Sequence, residues 1–308
     1  MNILVTGGAG FIASHIVDAY IEKDHKVVVI DNLSSGKLKN LNTNAQLFQM
    51  DIGDERVEDI FAEYKFDIVN HHAAQIDVRK SVEYPVTDAD TNILSGIKIL
   101  ELCRKYEVKK IIYASTGGAI YGEPQYLPCD EKHPVRPLAP YGISKHCLEH
   151  YIEYFHDMYK LDYTILRYAN VYGPRQDPHG EAGVVAIFTG KLLEEKSPFI
   201  FGDGEQTRDY VYVGDVVNAN TEALAKAGGE IINIGTGEET SVTRLFYKIA
   251  DALNSDIKPV YKDARAGEVY KIALDNNYAG KVLGWKVSVS LEEGLRKTAD
   301  YFKEEKKK

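Results

Sequence analysis

The first thirteen residues constrain this chain most. Ile3, Leu4 and Val5 form a short apolar run, Gly7 and Gly10 follow at once, and a helical pattern begins at Phe11, with Ile12, Ile16, Val17, Tyr20 and Ile21 on one side. A strand, a glycine turn and a helix, in that order, open a dinucleotide fold. The glycines let the backbone bend sharply and approach a pyrophosphate, and the helix N-terminus meets that anion with N–H groups and the positive end of its dipole. The spacing is Gly7-x-x-Gly10-x-x-Ala13, and Ala13 keeps the last position small enough for tight helix–strand packing. Lys26–Ile30 reads as a second strand ending in Asp31, roughly 20 residues past the glycines. A carboxylate there accepts hydrogen bonds from the adenosine ribose and repels a 2′-phosphate, so the unit predicts NAD rather than NADP.

Composition narrows the class. At 308 residues the chain can form one large α/β domain or two closely joined ones. A net charge of −9 argues against nucleic acid or an anionic membrane as partner. No apolar run approaches the ~20 residues of a membrane span, and the first strand starts at residue 2 with no signal peptide before it. Cys103, Cys129 and Cys147 fit neither a metal spacing nor a disulfide framework, so a reducing cytoplasm is the expectation. His71-His72 is expected to hold no metal, because neighbours at a strand end face opposite ways and no third ligand is near in sequence. With 21 tyrosines, a tyrosine needs a motif around it before chemistry is assigned to it.

Strands and helices alternate through the first half. A polar loop, Asn32 to Gly36, follows Asp31, and a third strand is expected near 45–50, ending in Asp51-Ile52. Asp54 is expected to cap a helix to about Tyr64. A buried strand over 67–70 ends at His71-His72-Ala73-Ala74-Gln75, where the small Ala73 and Ala74 leave room for a cofactor backbone. One helix is expected over about 86–106, and the strand 110–114 runs into Ser115-Thr116. This rhythm predicts a Rossmann-type doubly wound parallel sheet with a smaller α/β substrate domain, ligands lying beyond the strand C-terminal ends. A Pro-rich loop then leads to Tyr141-Gly-Ile-Ser-Lys145 at the start of a helix reaching about Tyr159. Tyr141 and Lys145 are four apart and share a helix face. An ammonium beside a phenol favours the phenolate, which lowers a pKa near ~10 toward working pH and makes a general base.

Gly7/Gly10, Asp31, Asp51-Ile52, Ser115-Thr116, Tyr141-x-x-x-Lys145 and the run Arg167-Tyr-Ala-Asn-Val-Tyr-Gly-Pro-Arg175 together resemble the extended short-chain dehydrogenases. More narrowly, they resemble the UDP-glucose 4-epimerases of the NAD-dependent epimerase/dehydratase group, and the resemblance covers essentially the whole chain. It implies an NAD-binding domain over 1–170 with return segments near 211–235, a nucleotide-sugar-binding domain over 171–308, and a homodimer through the two long helices. It implies an enzyme that inverts C4 of a UDP-hexose, UDP-galactose or UDP-glucose first, by way of a transient 4-keto sugar.

The resemblance also assigns residues. Cofactor contacts are implied for Gly7, Gly10, Phe11 and Ile12, for Asp31, Asn32, Leu33, Ser34, Ser35 and Gly36, and for Asp51 and Ile52. They are also implied for His72, Ala73, Ala74, Gln75 and Asn92, for Ser115, Tyr141 and Lys145, and for Tyr168, Ala169 and Val171. Substrate contacts are implied for Thr116, Tyr141 and Asn170, for Gly183 and Val184, for Phe199, Ile200 and Phe201, and for Gln206, Arg208, Arg265 and Glu268. Two guanidiniums, Arg208 and Arg265, would grip the diphosphate. The family's catalytic serine falls on Gly117 here, leaving Thr116, then Ser115, to bridge Tyr141 and the sugar hydroxyl. Gly117-Gly118 also stands where 4,6-dehydratases carry an acidic pair, which argues against dehydration. Ile272 falls where a bulkier tyrosine excludes N-acetyl sugars in some members, so UDP-GlcNAc/UDP-GalNAc are alternatives, as is UDP-glucuronate. A non-catalytic NAD-binding module is disfavoured because both Tyr141 and Lys145 are present.

Overall fold

The computed structural model describes residues 1–178, 183–264 and 269–307. The first half runs β1 (Asn2–Thr6), α1 (Phe11–Glu22), β2 (Lys26–Asp31), β3 (Gln46–Gln49), α2 (Val57–Tyr64), β4 (Ile68–His71), α3 (Val78–Glu83), α4 (Pro85–Ala89) and α5 (Ser95–Lys105). It continues through β5 (Lys110–Thr116), the single turn α6 (Gly117–Ile120), α7 (Pro140–Tyr159) and β6 (Asp162–Tyr168). The rest follows as β7 (Asn170–Tyr172), α8 (Val184–Leu193), β8 (Phe199–Phe201), β9 (Thr207–Arg208), β10 (Tyr210–Tyr212), α9 (Val213–Ala223) and β11 (Glu230–Ile234). The chain ends with β12 (Thr240–Ser241), α10 (Val242–Leu253), β13 (Val260–Lys262), α11 (Asn277–Val282) and α12 (Leu291–Lys307).

Seven of these strands form one parallel sheet in the order β11-β6-β5-β4-β1-β2-β3. Runs such as Val27-Val-Val-Ile30 need cover on both faces, and both are covered. On one side Ile16, Val17 and Tyr20 of α1 pack with Val216, Ala219 and Ala223 of α9. On the other, Ile60 and Phe61 of α2, Ile99 and Leu100 of α5, and Leu148 and Ile152 of α7 pack together. The strand order reverses between β1 and β4, which opens a crevice at their C-terminal ends. β11 returns from the second half to pair with β6. A third core, with Phe188 of α8, Phe246 of α10 and Leu295 of α12, belongs to the C-terminal layer. Among the described residues no helix is long and apolar enough to cross a membrane.

Two local expectations differ from the structure. Asp54 is not a helix cap: its carboxylate accepts from the Arg56 backbone N–H at 2.9 Å in a turn before α2 begins at Val57. The helix expected over 86–106 is interrupted by a π-turn, Asp90–Leu94, between α4 and α5, and α3 precedes it. Hydrophobic periodicity carries no signal for a single π-turn, and such turns are frequent at functional sites.

Helix α7 begins with Pro140 at its first position, where a missing N–H costs nothing. Its place on the sheet is fixed by Glu149, which is fully buried. That carboxylate accepts from Ser115 Oγ of β5 at 2.5 Å, from Arg167 of β6 at 3.0 and 2.6 Å, and pairs with His146 at 2.8 Å. Burial alone would raise the Glu149 carboxyl. Hydrogen bonds from His146, Arg167 and Ser115, with the Arg167 charge, overcome it and hold the group down at about 2. A carboxyl lowered on folding adds stability that is complete above its ordinary value of 4.5 and is lost as pH falls toward about 2. Glu149→Gln should therefore cost ~3–5 kcal/mol near neutrality, because Arg167 is left as an unpaired buried charge. Denaturant titrations of both proteins should show that cost shrinking steadily between the two pH values, and a pH-independent difference would refute the linkage.

Candidate active site

The phosphate end of the crevice is built from backbone. Gly7 adopts φ +71°, and a Cβ there would stand 2.9 Å from Ala73 N, so the turn admits only glycine. Gly10 caps α1 without any side chain, leaving the first-turn N–H groups near Phe11 and Ile12 to an incoming anion. Asp31, nearly buried, accepts from Ala9 N at 2.9 Å and Leu33 N at 2.8 Å. Leu33 takes φ +58°, and a Cβ on Gly36 would lie 2.7 Å from Asp31 Oδ1. The loop thus folds round the carboxylate, with Ser34 and Ser35 exposed on it. Asn32 and Asp51 meet at 3.0 Å at the rim, whereas the Ile52 side chain lies in the core below.

The β4 end supplies the opposite wall. His72 Nε2 lies 3.2 Å from the Tyr168 hydroxyl, and the ring stacks on Tyr168. Ala73 and Ala74 follow, and Gln75 is held by Asn92, the residue inside the π-turn. Asn92 Oδ1 accepts from Gln75 N at 2.8 Å, and its amide reaches Gln75 O, Asp88 and Ser144 at 3.0, 3.2 and 3.1 Å. Its polar atoms are taken up by the protein, so Asn92 shapes the Gln75 wall. Ala169 lies almost buried beside β11, with its N–H on Ile234 O, and Val171 pairs with Val211.

At the far end stand Tyr141 and Lys145. The Tyr141 N–H donates to Ser81 Oγ of α3 at 3.1 Å, and its carbonyl accepts from Ser144. Ser81 is a residue that the sequence reading passed over, because α3 is too short to announce itself. Burial pushes the Tyr141 phenol up to about 12, a hydrogen bond from the Thr116 hydroxyl draws it down, and Asp88 pushes it up further. Lys145 follows one turn later on α7. Its Nζ lies 4.3 Å from the Tyr113 ring centroid, and burial lowers it to about 7 against the raising pull of Glu149 and Asp88. Ser115, by contrast, gives its hydroxyl to Glu149 below the site. A Cβ on Gly117 would stand 2.4 Å from Leu274 Cδ1, so a larger residue there requires the Leu274 side chain to shift, while Gly118 is open toward Asn170 Oδ1 at 3.5 Å.

The remaining expected substrate residues gather in the second half. Asn170 Oδ1 and Gln206 Oε1 are buried polar atoms without a partner among the described residues. Gln206 Nε2 donates to Phe201 O at 2.8 Å, and Arg208 holds the carbonyls of Thr207 and Tyr270. Phe199 is exposed, but Ile200 packs its side chain in the third core, leaving only its backbone at the edge. Gly183 caps α8 without a side chain, with Val184 as the first helical residue. Arg265 and Glu268 lie outside the described residues. Ile272 is buried in the first core. Asp209, also buried, accepts from Thr236, Gly237 and Leu274 and braces β9–β10. Among the described residues no His, Cys, Asp and Glu cluster could hold a metal.

This arrangement fits a dinucleotide: a side-chain-free cradle, a carboxylate for a ribose and buried unpaired polar atoms beyond it. The UDP-glucose 4-epimerase of Thermotoga maritima, solved with UDP-glucose, is 53% identical, with a TM-score of 0.98 over 99% of each chain. That of Thermus thermophilus, solved as a complex with NAD, is 43% identical, with a TM-score of 0.94 over 98% of this chain and 99% of that one. The UDP-glucose 4-epimerase of Mycolicibacterium smegmatis is 44% identical over 98% of this chain and 99% of its own. Residues 3–235 match the NAD dependent epimerase/dehydratase family, and the chain belongs to it.

Proposed function

We infer that this chain is an NAD-dependent UDP-hexose 4-epimerase that interconverts UDP-galactose and UDP-glucose through a transient 4-keto sugar. The observation that carries this is the placement of Tyr141, at the start of α7, beside Thr116, the last residue of β5, at the C-terminal edge of the sheet. The pair stands at the far end of a dinucleotide crevice, and Gly117 and Gly118 beside it bear no carboxylate for dehydration. Gly7, Gly10, Asp31 and Lys145 would hold NAD, which supplies a reversible two-electron acceptor for C4 when bound. Tyr141 holds the proton of the 4-hydroxyl, and Thr116 bridges the phenol and that hydroxyl. Asn170, Gly183, Val184, Phe199–Phe201, Gln206 and Arg208 bind the UDP moiety, anchoring the nucleotide while the sugar turns over.

Leu94 at the end of the π-turn and Ile143, Tyr151, Tyr154 and Met158 of α7 are large apolar side chains left exposed. A second copy of the chain covers them in a four-helix contact, giving a homodimer. Its three free cysteines, two of them buried, suit the cytoplasm.

Incubated with UDP-galactose and no added NAD, the purified protein should yield UDP-glucose by NMR. A 4-keto-6-deoxy product would overturn the reading. Tyr141→Phe should lower kcat by ~10²–10⁴ while keeping its dinucleotide. Thr116→Val should also lower kcat with KM little changed, and full turnover would remove Thr116 from the mechanism. Lys145 is mostly neutral above about 7, and an anionic dinucleotide favours its ammonium form. NAD binding near pH ~8 should therefore take up a large fraction of a proton, falling toward zero by pH ~6. Calorimetry in buffers of different ionisation enthalpy measures this, and Lys145→Met should abolish it.

A further inference from the structure

The segment after β7, Pro174 to Asp177, is anchored on one side and latched on the other. The anchor lies in the second half of the chain. Gln176 is buried, and its Nε2 donates to Val171 O of β7 at 3.0 Å. A Cβ on Gly183, the cap of α8, would stand 2.3 Å from Gln176 Cδ. From there the segment reaches the dinucleotide-binding half and meets it through polar contacts. The Pro174 carbonyl accepts from His15 Nε2 of α1 at 2.9 Å. Arg175 donates to Ser14 Oγ at 3.2 Å and pairs with Asp18 at 2.7 Å, both on α1. Lys37 pairs with Asp177 at 3.2 Å.

The partners in the first half are the supports of the glycine turn. The His15 ring packs edge-on against Phe11, the first residue of α1, with 6.2 Å between ring centroids. The Lys37 N–H donates to Ala9 O in the turn itself at 2.9 Å, and Lys37 directly follows the loop curled round Asp31. Segment 174–177 therefore grips the turn from α1 on one side and from the Asp31 loop on the other. Arg175 takes φ +68°, a left-handed conformation that a residue other than glycine keeps only where contacts hold it. The contacts that hold it are partly exposed ion pairs, each weak by itself. The strap is thus fixed at Gln176, strained at Arg175 and held to the first half by bonds that open readily.

We propose that Arg175, with Asp18 and Lys37, forms a latch that sets how long the dinucleotide stays bound. Closed, the latch holds the glycine turn and the Asp31 loop together round the cofactor, and its opening gates release. This rests on the dinucleotide reading above. All three are positioning residues, acting through the backbone that they hold.

The test follows by fluorescence the release of NADH from loaded protein into excess NAD. Arg175→Ala and Lys37→Ala each remove one arm of the latch, and each should release NADH about fivefold faster than wild type, with no fall in the association rate. Asp18→Asn separates a latch from direct attraction. It breaks the same ion pair as Arg175→Ala but leaves the guanidinium charge unpaired near an anionic dinucleotide, so direct attraction would slow release. The latch requires release to quicken in both. Unchanged or slower release from Asp18→Asn, or slower association with Arg175→Ala, would overturn the proposal. In all three variants kcat with UDP-galactose at saturating NAD should stay within about twofold of wild type. Faster release with an equal loss of kcat would mark a general loosening of the fold and would also overturn it. Failure of wild type to bind NADH would overturn the dinucleotide reading itself.

Discussion

The buried carboxylate of Glu149 is the constraint on which the site's geometry rests. It lies between three elements distant in sequence, taking hydrogen bonds from β5, from β6 and from its own helix α7. A charge so placed is costly to desolvate and is held only because donors surround it. The same contacts set the height and rotation of α7 on the sheet, and α7 carries Tyr141 and Lys145. Glycine lets the neighbouring helix close in behind: a Cβ on Gly96 of α5 would stand 2.5 Å from Leu148. Tyr141 and Lys145 are therefore positioned by a polar bolt on one side and close packing on the other.

The cofactor wall is organised differently. There, side chains hold the backbone in place. Asp31 curls its own loop, Asn92 secures Gln75, and Asp209 fixes the strand that bears Arg208. Atoms that the protein satisfies itself, such as those of Asn92, are support, whereas Asn170 Oδ1 and Gln206 Oε1 are left buried without a partner among the described residues.

Much of this was legible in the sequence because it rests on local rules. The glycine turn, the strand ending in Asp31, and Tyr141 and Lys145 at helical spacing are short-range patterns, and the alternation of strands and helices gives the parallel sheet. What escaped depends on partners far apart in the chain. Nothing around Ser115 announces that Glu149, 34 residues on, will accept its hydroxyl. Nor does the sequence around Ile272 show how deeply packing will bury its side chain. The π-turn that places Asn92 is likewise a tertiary adjustment without a period of its own.

The protonation of the pair carries the argument one step further. A helix face that juxtaposes a tyrosine with a lysine suggests mutual tuning, yet the protein alone holds Tyr141 near 12 and Lys145 near 7. Burial drives both shifts, since it favours whichever form is neutral. The two groups are thus poised against the charged pair that proton abstraction needs. Only positive charge beside the phenol, or negative charge beside the lysine, reverses that preference, and a bound dinucleotide brings charge to this crevice. On the proposed mechanism, the dry site that makes later electrostatics strong also keeps Tyr141 protonated until the cofactor is seated, so that binding and base activation form one coupled event.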